Sequence, residues 1–198
     1  MKKSRVGWLA ILIGVVLVAI ALVFWLKNYV ESADAATASA HMVAKIQSQI
    51  KMQSEIEMPQ QVENPDSENT KDFLLNKKYL GILAIPTLDL ELAVQMKCSA
   101  SLLRSAPCLY AVVGENSDRL IICGHNYRSH FGKLKKLAVG DEIYFTDMGG
   151  EKTSYKVIES TIISQDDFAA LTDENGALTL FTCTPNRLNR VVIRCGLH

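Results

Sequence analysis

Apolar and polar positions divide the chain into three regimes. Behind the basic residues Lys2, Lys3 and Arg5, residues 7–26 run for twenty positions without a charge. At helical rise such a run crosses a hydrocarbon core of about 30 Å, so the pattern predicts a transmembrane helix. The basic residues predict a cytoplasmic tail over 1–6, with Trp8 and Trp25 near the two interfaces and everything after Lys27 outside. A cleaved signal peptide is the rival reading, because Ala33-Asp34-Ala35 and Ala38-Ser39-Ala40 have cleavage-like spacing. The apolar run exceeds the roughly 7–15 residues of a signal sequence, which favours retention.

Residues 27–72 form the second regime, an extracellular stalk and linker. Val43, Ile46 and Ile50 recur at spacings of three and four in an alanine-rich stretch, the mark of a weakly amphipathic helix that serves as a stalk or packs on the domain. Over 57–72, Pro59, Pro65 and several acids with almost no large apolar residue read as a linker.

The third regime, 73–198, alternates short β-prone runs with turn residues. Strands are expected over 80–85, 90–96, 108–113, 120–123, 142–146, 153–164, 178–182 and 191–195, with short helices over 100–105 and 166–171. Closely spaced short strands predict a mainly β domain, a barrel or sandwich rather than alternating β/α units. There is no internal repeat.

Charge then narrows the function. The 21 basic residues balance the 21 acidic ones, so the chain lacks the electrostatic footprint of a nucleic-acid partner. Five cysteines without a CxxC pair indicate neither a zinc knuckle nor a dense disulfide framework. Cys98, Cys108, Cys123 and Cys195 read as small buried hydrophobes, with Cys123 and Cys195 as possible sheet neighbours. The acid pairs Asp166-Asp167 and Asp173-Glu174 lack the alternating pattern of a calcium loop and read as a solvated face, so no cofactor is expected.

Cys183 is different. The run Thr179-Leu180-Phe181-Thr182-Cys183 delivers it to a strand end that Thr184-Pro185 terminates, a position from which a thiol can face a cleft. A thiol needs an imidazole or a positive charge nearby to react as thiolate. His125 follows Gly124 at the end of another apolar run, where glycine permits the tight turn that aims the next side chain. Its competitor, His130, sits in what reads as a peripheral turn. Arg187, Arg190 and Arg194 all follow the cysteine, and in a strand 190 and 194 share one face. Pro185 has no amide to donate, which leaves the Thr184 amide as the nearest backbone candidate for an oxyanion donor. No spacing singles out an aspartate.

Together these segments resemble the sortases, the membrane-anchored cysteine transpeptidases of Gram-positive bacteria. Thr179-Leu180-Phe181-Thr182-Cys183 matches the family's TLxTC signature, Gly124-His125 its histidine turn, and Arg190 its arginine after the cysteine. Leu80-Gly81-Ile82-Leu83-Ala84-Ile85-Pro86 looks like its first barrel strand, and the order along the chain agrees. The resemblance implies an eight-stranded sortase β-barrel with short helices. It assigns Cys183 as nucleophile, His125 as acid–base partner and Arg190 as oxyanion stabiliser. It further implies cleavage of an LPXTG-like sorting signal through a thioester, resolved by a cell-wall or pilin amine. Thr182-Cys183-Thr184-Pro185 is similar to pilin-polymerising or housekeeping members, whereas Gly124-His125-Asn126 followed by Phe131-Gly132-Lys133-Leu134 is similar to class B members. A cysteine hydrolase using water as acceptor and a noncatalytic tethered barrel are the alternatives.

Overall fold

The computed structural model describes residues 3–56, 78–114, 119–172 and 176–198. The expected linker over 57–72, and Asp118, Asp173 and Glu174, lie outside them.

Helix α1, Lys3–Ile56, is unbroken over 54 residues. Its apolar part, from Gly7 onward, is long and apolar enough to cross a membrane. Large apolar side chains from Trp8 to Val30 are exposed rather than packed on the domain. Residues 27–56 contain neither glycine nor proline, so nothing interrupts the helical ladder where hydropathy changes. Beyond that change the helix docks on the barrel. Ala35, Ser39, Val43 and Ile46 are buried at spacings of four, four and three, one stripe of the helix. Val43 and Ile46 pack with Tyr79, Ile82 and Ala93 of the sheet. Polar contacts flank the stripe: Ser32 with Ser129, Tyr127 with Glu31, and Gln47 with Glu91. Of the two expected roles for this stretch, the helix performs the packing one.

Eight strands close a barrel: β1 Tyr79–Ile85, β2 Leu90–Gln95, β3 Cys108–Val113, β4 Arg119–Cys123, β5 Glu142–Asp147, β6 Lys152–Ser164, β7 Leu178–Cys183 and β8 Asn189–Leu197. Their order around the barrel is β1-β2-β3-β4-β7-β8-β6-β5. Two contacts are parallel, β2 with β3 and β4 with β7, and the remaining ones are antiparallel. The expected short helices form as a 3-10 turn, Leu102–Arg104, and as α2, Phe168–Leu171, which Asp167 caps by accepting from the Ala170 amide at 2.9 Å.

Alternation along the strands produces two apolar layers. The interior holds Leu83, Leu92, Ile122, Ile143, Leu178, Leu180, Ile193 and Cys195, among others. The outward set on β4, β7 and β8 includes Ile121, Cys123, Phe181 and Val192, and Leu171 of α2 packs on it. Cys123 and Cys195 therefore belong to different layers, with β7 between their strands, and are not sheet neighbours. The segment around His130 is not a peripheral turn either. It continues into a 3-10 helix, Phe131–Lys136, whose Phe131 and Leu134 are wholly buried in the interior cluster.

Candidate active site

Parallel pairing of β4 with β7 aligns Cys123 with Phe181. Two residues further on come Cys183, which ends β7, and His125, just past the end of β4. Two hydrogen bonds hold this end together: the Gly124 amide to the Phe181 carbonyl at 3.1 Å, and Thr182 Oγ1 to the Gly124 carbonyl at 2.8 Å. On the other side of β7, Cys183 pairs directly with Arg190 of β8. Thr182 is turned inward and buried, so the period of two leaves Cys183 outward and exposed. His125, Cys183 and Arg190 thus stand on three adjacent elements at one end of the barrel.

Gly124 is required here for space rather than for backbone freedom. A Cβ on it would lie 2.7 Å from the Phe131 ring, and its φ is not in the left-handed region. The turn is therefore tight because Phe131 packs against the backbone that precedes His125.

The half-buried His125 has its pKa lowered by desolvation first, then by the charges of Arg104 and Arg187, with Glu31 of α1 opposing them. Its ring lies 4.7 Å from that of Tyr127, whose hydroxyl donates to Glu31 at 3.2 Å. His130 stands behind Tyr127, ring centroids 5.6 Å apart, and is fully buried. Burial pushes its pKa down to about 4, against the backbone of Ala35 and Ser105, which favours the charged form.

The three arginines separate clearly. Arg194 is 3% exposed, paired with Glu159 and bonded to the Ala170 carbonyl, so it fastens α2 to the barrel. Arg187 is exposed at a turn, with φ 59°, and reaches His125 through its charge. Arg190 lies between Phe168 and Phe181, its guanidinium carbon 5.0 and 5.4 Å from the ring centroids. Its Nη1 is buried without a hydrogen-bond partner among the described residues.

The backbone donor expected at Thr184 is not free. Its amide donates to the Asn189 carbonyl at 2.9 Å, closing the short hairpin from β7 to β8. Two neighbours escaped sequence reading: Arg104, on the connection between β2 and β3, and Glu31, on a helix far away in sequence. Neither lies in a motif, and only tertiary packing brings them to His125. Cys98 is exposed, contrary to the expected burial, whereas Cys108, Cys123 and Cys195 are buried.

The family model for the sortase domain matches residues 83–198. No curated protein matches the chain. Among solved structures, it is similar to a Clostridium perfringens sortase D5 transpeptidase, with TM-score 0.60 and 16% identity over 82% of this chain and 99% of that one. It is also similar to a lid mutant of Corynebacterium diphtheriae sortase A, with TM-score 0.55 and 21% identity over 81% of this chain and 95% of that one. A third likeness is to Streptococcus pneumoniae sortase C-1, with TM-score 0.53 and 26% identity over 61% of this chain and 67% of that one. The structural likenesses extend across sortases of three classes and agree with the closed eight-stranded barrel. With a family match over more than half its length, the chain belongs to the sortase family, whose members are cysteine transpeptidases.

Proposed function

We propose that this chain is a membrane-anchored transpeptidase that cleaves an LPXTG-like sorting signal through a thioester on Cys183 and transfers the acyl group to a cell-wall or pilin amine. The observation that carries the proposal is the convergence of an exposed thiol, a half-buried imidazole and a guanidinium with an unpartnered Nη1 on neighbouring strand ends.

In this reading the Cys183 thiolate attacks the carbonyl carbon of the signal's threonine. The negative oxygen that develops accepts from Arg190, since the Thr184 amide is engaged by Asn189. His125 gives its proton to the departing amine as the tetrahedral intermediate collapses to the thioester. The acceptor amine then attacks, His125 removes its proton, and the thiolate leaves. A lowered His125 pKa favours the neutral imidazole, so His125 must gain a proton before it can protonate the departing amine.

The proposed topology has a cytoplasmic tail over 1–6, a membrane span over 7–26, a helical segment over 27–56 that docks on the barrel, a linker over 57–72, and an extracellular catalytic barrel over 73–198. The basic end of α1 supports this orientation. Outside the membrane the barrel meets secreted proteins and wall precursors.

The test is incubation of the full chain in detergent micelles with LPXTG-like peptides, with and without amine acceptors, beside Cys183→Ala. Cysteine-dependent cleavage with product joined to the acceptor is expected. Release of free acid alone would establish a hydrolase instead, and absence of both turnover and thioester adduct would refute the proposal.

A further inference from the structure

Outside the proposed triad, three other thiols meet. Cys98 follows β2, Cys108 opens β3 and Cys123 ends β4, and their Sγ atoms lie within 4.8 Å of one another. Cys108 and Cys123 are opposed across the β3–β4 ladder. Cys98 Sγ lies 3.2 Å from Cys123 Sγ, across 25 residues of sequence. That gap is little more than 1 Å longer than a covalent S–S bond of about 2.05 Å. Cys98 is exposed and on a connection, so its side chain is reachable and adjustable, whereas Cys123 is buried in the outward apolar layer. An oxidant therefore meets Cys98 first, and the resulting bond lies sheltered.

We propose that Cys98 and Cys123 form a disulfide that staples the β2–β3 connection to the end of β4, two residues before His125. The oxidant is a small disulfide such as oxidised glutathione. The Cys98 thiolate attacks one sulfur of the oxidant, forming a mixed disulfide and expelling one thiolate. Cys123 then attacks the Cys98 sulfur, the mixed disulfide breaks, and the second thiolate leaves. Two electrons pass to the oxidant, which departs as two thiols. The protons of Cys98 and Cys123 go to the two expelled thiolates.

The staple encloses the 3-10 turn that carries Arg104. Arg104 is one of the charges that depress the His125 pKa, so the bond fixes the wall that sets the acid–base partner's environment.

The proposal is tested on the full chain in detergent, equilibrated in oxidising glutathione buffer, alkylated under denaturing conditions and mapped by non-reducing peptide mass spectrometry. A linked Cys98–Cys123 peptide is expected, with Cys108, Cys183 and Cys195 alkylated. Reduction should lower the thermal midpoint of the wild-type chain, corresponding to an unfolding constant raised by about two orders of magnitude, and leave Cys98→Ser unmoved. Five alkylated thiols, a linkage involving Cys108, or a stoichiometric metal ion held by the three thiolates would each overturn it. Neither readout depends on turnover, so the staple and the transfer chemistry stand or fall separately.

Discussion

Replacing His130 with glutamine should flatten the acid side of the stability profile. His130 is fully buried and its folded pKa is held at about 4, whereas an unfolded histidine titrates near 6.5. Between those values the unfolded chain binds a proton that the folded chain refuses. Stability linked to His130 is therefore complete above about pH 6.5 and drains away as pH falls toward 4. The difference of about 2.5 pH units corresponds to roughly 3 kcal/mol. The assay is urea unfolding between pH 4 and 7 on wild type and His130→Gln, using a fragment that begins at Asn28 and so retains the docked part of α1. The variant loses packing at every pH, which only displaces its curve. The informative quantity is the gap between the curves, which should shrink by about 3 kcal/mol from pH 7 to pH 4. Parallel curves would refute the argument, because they would mean that His130 is protonated in the fold or reaches water.

Other perturbations address the site and its supports. Arg104→Gln removes a repulsive charge and should raise the His125 pKa, whereas Glu31→Gln removes an attractive one and should lower it further, both read by NMR titration of the imidazole. Ile46→Ala empties a fully buried position between helix and sheet and should cost about 2–5 kcal/mol in urea unfolding. A fragment starting at residue 73 should fall below one starting at Asn28 for the same reason, since it uncovers Tyr79, Ile82 and Ala93. Gly124→Ala drives a methyl into the Phe131 ring, and a loss of about 1–3 kcal/mol is expected, with lower activity as the His125 turn shifts.

The strands were largely legible in sequence because each is a short apolar or alternating run bounded by turn residues, and even the 13-residue β6 is read nearly to its ends. The placement of Cys183, His125 and Arg190 at or just beyond strand ends was legible for a related reason, each lying at the margin of such a run. What escaped depends on contacts that no local pattern encodes. His130 lies among polar residues and looks peripheral, yet Phe131 draws the segment into the interior and α1 covers it. Gly124 is legible as a glycine position, but its partner Phe131 seven residues on, and hence the steric reason for it, is not. The three thiols are scattered over 25 residues and converge only because the closure of β2, β3 and β4 brings one connection and two strand ends together.

The continuity of α1 fixes azimuth and height at once. One extra residue between Leu26 and Glu31 would lift the barrel by about 1.5 Å and swing it by about 100° around the helix axis. An insertion of seven, close to two whole turns, would restore the bearing while adding about 10 Å of elevation. In the proposed topology α1 acts as an indexed mast. Insertions of varied length would therefore separate the distance of the cleft from the bilayer from the direction in which it opens, and show which of the two the reaction depends on.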